Sequence, residues 1–373
     1  MQRLIRLSFT STSLCIFKFI NVIQAFFEAE YRRCNSRGVN VKNRVRRSGV
    51  FLAGAISGIA ASIALPQTAS GGTAPAYPNK PIRLIVPFAP GGGLDIFARV
   101  LAQKLGERIG QSVVVDNRAG GTGIVGANIV AKAVPDGYTL IMTSTSHTIV
   151  PSLFAEVPYD ALKDFAPVTL AASQPYIVGV HPALPAKSLK DLIALAKSKP
   201  GQLNYASGGN GTVPHLAGEQ LKILTRIDMV HVPYKGGGPA LLALISGEVA
   251  MLLSSLSSTL PQVKAGKIRA LAVSSAKRSA AVPDLPTVAE SGVPDFEVLS
   301  WYGLLAPAKT PKIIVDKMYA EVINSLQTPE IKERLANDGN DPVGSTPEEF
   351  TRFIRAEIAK WGKLLKTLGV RVD

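Results

Sequence analysis

Cysteine is nearly missing from this chain of 373 residues: Cys15 and Cys34 are the only two, and neither lies beyond residue 76. A thiol nucleophile, a thiolate metal site and a disulfide framework are therefore excluded for residues 77–373, which suit a reducing or an oxidising compartment equally. Histidine is scarce as well. His147, His181, His215 and His231 form no i,i+4 pair and have no carboxylate at metal-ligand spacing, so no metal site is expected. No glycine run leads into the Lys-Ser/Thr pair of a phosphate loop, and Ile96 stands where a dinucleotide fingerprint on Gly91 and Gly93 needs glycine. No G-x-S-x-G elbow occurs after residue 76. With neither phosphate-binding pattern complete at the first glycine turn and no nucleophile beside a base, no cofactor and no catalytic step are expected. Aromatic residues make up only 6%, and Phe88, Tyr234, Trp301 and Tyr302 read as core or cleft walls rather than a stacking platform for bases.

Acidic charge is in short supply, giving a net charge of +14. The excess is local: residues 1–76 hold ten Lys/Arg against Glu28 and Glu30, leaving 31 of the 41 basic and 25 of the 27 acidic residues beyond them. That balance, with no dense basic run, argues against nucleic acid as a partner. The basic end instead precedes an apolar stretch. "VKNRVRR" is a positive n-region, "SGVFLAGAISGIAASIAL" an h-region rich in small residues, and "PQTASGGTAPA" offers an A-x-A cleavage site at Ala74 and Ala76. The same 18 residues are the lower limit for a membrane span of about 18–20, but the small residues and the Pro/Gly-rich sequence after them favour a cleaved signal peptide. A second apolar stretch upstream, "SLCIFKFINVIQAFF", fits a true translation start between residues 41 and 50.

From Tyr77 onward short apolar runs alternate with helical patterns. "IRLIVPF", "SVVVDN", "YTLIMTS", "YIVGVHP", "LNYASGG", "DMVHVPY", "VAMLLSS" and "IRALAVSS" read as buried strands. The segments between them, beginning with "DIFARVLAQKLGERIG", read as helices, which predicts an α/β fold with largely parallel sheets. The C-terminal part is predicted to be two long amphipathic helices. The second turns Glu348, Arg352, Arg355, Glu357 and Lys360 to water and Phe350, Phe353, Ile354, Ile358 and Trp361 to the core.

Four times a strand runs through glycines into a helix: "PFAPGGGLD" (87–95), "NRAGGTGIVG" (117–126), "ASGGNGTVPH" (206–215) and "PYKGGGPAL" (233–241). Glycine lets a ligand approach the backbone, and a helix N-terminus offers unpaired N–H groups with about half a positive charge. Parallel sheets gather such turns at the carboxyl ends of their strands, where ligands bind. Together they describe a cleft that holds an anion mainly by backbone. Asp95 either caps or braces its helix or touches the ligand. His147 and His215 follow such turns and are candidates for the cleft, whereas His181 and His231 read as structural.

"YPNKPIRLIVPFAPGGGLDIFAR", "VVVDNRAGGTGIVGANIVAKAVPDGYTL", "YASGGNGTVPHLAGE", "MVHVPYKGGGPAL" and "LPTVAESGVPDFEVLSWYGLLAPAKTP" resemble, in order and spacing, the tripartite tricarboxylate transporter substrate receptors, the TctC or Bug proteins. The resemblance covers essentially all of residues 77–373. It implies the type II periplasmic binding protein fold, with two α/β lobes and a ligand cleft between them: lobe one 77–176 with 298–373, lobe two 177–297, and crossings at "PYIVGV" and "EVLSWYGLL". It implies a monomeric periplasmic receptor that is not an enzyme, binds a small organic carboxylate by lobe closure and passes it to membrane permease subunits. A sensory protein feeding a signalling partner, or an α/β enzyme acting on a carboxylate, are the alternatives. The binding residues implied are Phe88, Ala89, Gly91, Gly92 and Asp95 in the first loop, Ser144, Thr145 and His147 in a hydroxyl turn, and Ser207, Gly208, Asn210, Thr212 and His215 in the second lobe. Two positions depart from the family pattern. Leu94 replaces a common Thr, and "MLLSS" replaces "MFD", putting Ser254 where many members carry an acid; this disfavours a cationic, amino-acid-like ligand.

Overall fold

The structure, a computed structural model, describes residues 77–368; the proposed export signal lies outside them. Three strands, β1 (Ile82–Val86), β2 (Val113–Asn117) and β3 (Thr139–Ser144), pair in parallel in the order β2-β1-β3. Each is followed by a helix: α1 (Gly93–Ile109), α2 (Ile124–Ala131) and α3 (Ser146–Leu153). The sixteen-residue β4 (Phe165–Val180) then leads onward to α4 (Leu189–Ser198), whose Ser188 and Asp191 form a capping box.

A second parallel group follows, β5 (Asn204–Ser207), α5 (Val213–Thr225), β6 (Val230–Pro233), α6 (Gly237–Ile245), β7 (Met251–Ser255), α7 (Leu256–Lys264) and β8 (Arg269–Val273). The chain returns along β9 (Leu299–Pro307) and ends in α8 (Lys312–Leu326), α9 (Pro329–Asn337), the short β10 (Asp341–Pro342) and α10 (Pro347–Leu368). Two antiparallel strands join the groups. Residues 165–175 of β4 pair with β9, and residues 176–180 pair with β7 and β8, so one hydrogen-bonded path runs β2-β1-β3-β9-β4-β7-β5-β6.

All eight apolar runs contain a strand. Their side chains alternate between two covered faces: Leu84, Val86 and Met142 pack with Phe97 and Met318, whereas Ile85, Ile141 and Leu305 pack with Phe350 and Ile354. The C-terminal prediction needs correcting. The first of the two expected helices is broken into α8 and α9, because Pro329 has no N–H to continue the ladder and holds Thr328 extended as an N-cap (φ −65, ψ 142). On α10 the buried face is as expected for Phe350, Ile354 and Trp361, but Glu357 is also buried, because its carboxylate accepts from Trp361 Nε1 at 2.9 Å and from Lys360 Nζ at 3.0 Å.

Gly303, in the middle of β9, is fixed by this packing. A Cβ there would run into the ring of Phe350, which is wholly buried and set edge-on to Trp301 at 5.7 Å. Gly303→Ala is expected to cost about 1–3 kcal/mol by overpacking, measured by urea unfolding, and Phe350→Leu in the same chain should restore part of the loss.

Candidate functional site

A cleft opens at the carboxyl ends of β1, β3, β5 and β7. Seven of the thirteen sequence candidates line it: Phe88, Ala89, Gly92, Asp95, Ser144, Gly208 and Thr212. Six do not, and each has a definite place outside the cleft lining. Gly91 has φ +86, a conformation that suits glycine, and donates its N–H to Asp95 Oδ2 at 3.0 Å. Thr145 is buried, and its Oγ1 accepts from Trp301 N at 3.4 Å. His147 is buried against Phe165, with ring centroids 4.9 Å apart. Ser207 shares its hydroxyl between the Gly209 backbone and His231 Nε2, 2.6 Å away. The Asn210 carbonyl accepts from Thr122 Oγ1 at 2.6 Å, and His215 Nδ1 accepts from Gly211 N at 2.9 Å.

Asp95 is both at the surface of the cleft and fully engaged. Its Oδ2 accepts from Gly91 N and Arg99 Nε, and its Oδ1 accepts from Asn117 Nδ2 at 2.9 Å with a guanidinium nitrogen of Arg99 at 3.0 Å. Burial alone would raise this carboxyl; the Arg99, Gly91 and Asn117 hydrogen bonds outweigh it and hold the group below its ordinary value. Asn117 also donates to Phe88 O at 3.0 Å, so one carboxylate and one amide fix both sides of the first glycine loop. Arg99 reaches Asp95 from outside the cleft, and Arg118 pairs with Asp116 at 3.0 Å.

The glycine turns of β1 and β6 meet across the opening. Ala89 N donates to Lys235 O at 3.1 Å. A Cβ on Gly92 would stand 3.4 Å from Gly237 N, and one on Gly238 would collide with Pro90 O. The second turn braces from behind: Thr122 ties to Asn210, and a Cβ on Gly126 would lie 2.7 Å from Pro87 Cβ. Residues 121–126 read G-T-G-I-V-G, which has dinucleotide-fingerprint spacing, yet they pack against Pro87 and Phe88 outside the cleft.

Below the turn after β5 lies a group of titratable side chains. His215 and His231 stack with centroids 4.0 Å apart, and Tyr205 donates to Glu219 at 2.6 Å, which also accepts from Lys222 at 3.0 Å. Burial lowers His215, and burial followed by the charge of His215 pushes His231 down to about 3. Burial likewise pushes His147 down to about 4, only partly offset by its bond to Ala161 O at 2.9 Å. That carbonyl accepts, so Nε2 carries the proton and His147 is neutral. Among the described residues no cluster of His, Cys, Asp or Glu could hold a metal ion, and no helix is long and apolar enough to cross a membrane.

Several lining residues escape sequence reasoning. Gly93, Ser146, Tyr176, Ser255 and Ser300 reach the cleft from the ends of different strands and helices. Gly237 belongs to the fourth glycine turn, and Tyr302 and Ser254 stood out individually.

The sequence model of the tripartite tricarboxylate transporter family receptor, TctC, matches residues 97–370. A UPF0065 protein of Pseudomonas sp. strain P51 is 39% identical over 82% of this chain and 93% of its own. Protein BugT of Bordetella pertussis is 38% identical over 87% and 97%. Among solved structures, a periplasmic transporter superposes with a TM-score of 0.77 at 41% identity, covering 80% of this chain and 100% of its own. A Rhodopseudomonas palustris protein with adipate gives 0.77 at 38% identity (79% and 99% covered). MatC of the same organism with bound malate gives 0.73 at 33% (78% and 100%).

Two outcomes are expected from this geometry. Asp95→Asn sets an amide donor against three other donors and should destabilise the protein by about 2 kcal/mol in urea unfolding. For the three histidines, the folded value lies below the ordinary 6.5, so their contribution is complete above pH 6.5 and is lost as acid protonates the unfolded chain. The thermal midpoint should therefore fall between pH 6.5 and 4. His147→Phe, which keeps the ring packing against Phe165, should flatten part of that fall.

Proposed function

The chain belongs to the tripartite tricarboxylate transporter receptor family, and we propose that it captures a small carboxylate by lobe closure and delivers it to the membrane permease subunits of such a system. Members of this family are periplasmic substrate-binding receptors, not enzymes. For this chain we place the export signal within residues 1–76 and the working receptor, a monomer, in the periplasm.

One observation carries the reading. Two glycine turns, from β1 and β6, meet backbone to backbone over a cleft whose lining combines main-chain and hydroxyl groups with the apolar side chains of Phe88, Leu94, Leu252 and Leu253. That construction suits an anion that must be surrounded and later released, and adipate and malate in the two related structures support a carboxylate. The lobes we assign are 77–176 with 298–373, and 177–297. Support comes from β4, which changes partner between Pro175 and Tyr176, and from β9, which starts at Leu299.

Affinity of the usual scale needs no salt bridge. A micromolar Kd is about −8 kcal/mol, and hydrogen bonds to a carboxylate contribute roughly 1.5–3 kcal/mol each. Three or four donors reach that scale after ordering costs. The binding set we propose keeps Phe88, Ala89, Gly92, Ser144, Gly208 and Thr212 in contact with ligand, with Gly91, Asp95, Thr145, His147, Ser207, Asn210 and His215 shaping the turns that carry them.

The test is a thermal-shift and calorimetric panel of small carboxylates on the purified protein, with at least one expected to bind and to raise the midpoint. Gly92→Asp should abolish that binding, since a carboxylate would then face Gly237 N in place of the ligand, while unfolding stays cooperative. A panel without any response would refute the proposal.

A further inference from the structure

Four successive residues of the turn after β2 have positive φ: Gly120 (143), Gly121 (53), Thr122 (54) and Gly123 (100). Glycine adopts such backbone freely, but for a β-branched residue the left-handed region is a genuine outlier. A residue persists there where its surroundings over-determine it, and such residues gather at clamps and switch regions. Thr122 is held from across the opening. Its Oγ1 donates to Asn210 O at 2.6 Å. Asn210 belongs to the turn after β5, so this bond joins the two parallel groups. Gly209 (φ +135) shapes the seat of the hydroxyl, because a Cβ there would stand 3.6 Å from Thr122 Oγ1 and 3.3 Å from Tyr234 O.

The same turn is held a second time. A Cβ on Gly211 (φ +75) would run into Leu153, the last residue of α3, which is buried in one core with Tyr205, Val213 and Leu216. Residues 209–211 are thus gripped from the first parallel group by a hydroxyl and by an isobutyl side chain. Gly208 and Thr212, on either side of the grip, line the cleft, whereas Thr122, Leu153, Asn210 and Gly211 do not. Gly208 also abuts the turn after β6, since a Cβ on it would lie 3.3 Å from Gly237 N. Whatever fixes residues 209–211 therefore fixes where two cleft-lining residues stand.

We propose that Thr122 is a positioning residue for ligand capture, a side-chain latch outside the cleft that holds the 208–212 turn in place when the lobes close. This rests on the reading of the chain as a receptor that closes over a carboxylate, and adds a residue that sets affinity without touching ligand. Two opposed effects meet at one position. The hydrogen bond to Asn210 favours the closed arrangement, and the left-handed backbone at Thr122 opposes it. Affinity for any ligand scales with the fraction of molecules in the binding-competent arrangement. A change at residue 122 therefore alters the affinity for every acid by one common factor, whereas a residue in contact with ligand discriminates between acids.

The experiment is calorimetric titration of the purified protein with malate, adipate and every other acid of the carboxylate panel that binds. It is accompanied by hydrogen–deuterium exchange of the 208–216 segment in protein without added acid. Thr122→Val keeps the branched shape and removes the hydroxyl. It should weaken all acids by the same factor of about five, the contribution of one neutral hydrogen bond, and speed exchange in 208–216. Thr122→Ala gives a second reading should Thr122→Val fold poorly. Thr122→Ser keeps the hydroxyl on a residue less hindered in the left-handed region, and should bind as tightly as the unaltered protein or more tightly, with exchange unchanged. Affinities within twofold of the unaltered protein for Thr122→Val, unequal weakening of different acids, or failure of Thr122→Ser to restore affinity overturns the proposal and leaves the carboxylate reading standing. A panel silent for the unaltered protein overturns the carboxylate reading, and exchange then decides alone: equal rates in the unaltered protein and Thr122→Val overturn the positioning role too.

Discussion

Asp95 is a negative charge at the wall of the cleft, and the geometry of the first loop follows from how that charge is cancelled. Arg99, one helical turn further along α1 and half exposed, supplies the opposite charge from outside the cleft. Asn117 and Gly91 supply the remaining donors. The carboxylate then acts as a rigid acceptor that ties the glycine loop, the end of β2 and the start of α1 together. Cancelling the charge from behind keeps any guanidinium out of the cleft. The cleft wall here therefore presents main-chain N–H groups rather than an ion pair, and these keep a fixed direction because main chain has no rotamers to order.

The same economy governs contact across the cleft. Turns from β1 and β6 approach until Gly92 meets Gly237 and Pro90 meets Gly238, a distance that side chains would forbid. Such close main-chain packing excludes water and strengthens every hydrogen bond inside. The long β4 and its partner β9 are the structural counterpart. β4 runs through both parallel groups, pairing with β9 over residues 165–175 and with β7 and β8 over 176–180, while β9 links the first half of β4 to β3.

Much of the fold was legible, and the reason is local. Buried parallel strands are short apolar runs, and all eight runs became strands. The first half of β4 and α3 were not legible. "FAPVTLAAS" mixes small and hydroxyl residues because it packs within a sheet between β9 and β10, and α3 contains Pro151 and holds together through tertiary packing. Pro329 is visible in the sequence, but the amphipathic pattern continues on both sides of it and predicts one helix where the structure has two. Around the cleft, the glycine turns announced themselves, whereas the role of Asp95 did not: its partners lie at positions 91, 99 and 117, and only the fold brings them together. His147 and His215 looked like cleft residues because they follow the right turns. One turn of helix carries each imidazole behind the surface, where it supports the loop instead.

The absence of a lysine or arginine from the cleft has a physical consequence for release. A buried ammonium facing a carboxylate would gain affinity at the expense of an uncompensated charge whenever the cleft emptied, since breaking a buried pair is strongly unfavourable. Helix N-termini carry no such penalty. Their partial charges are spread over several N–H groups that water can satisfy when no ligand is bound. For the proposed carboxylate receptor, such donors would allow uptake and release without a protonation step. That is why the cleft can dispense with histidine, although two of the four histidines, His147 and His215, lie immediately behind it.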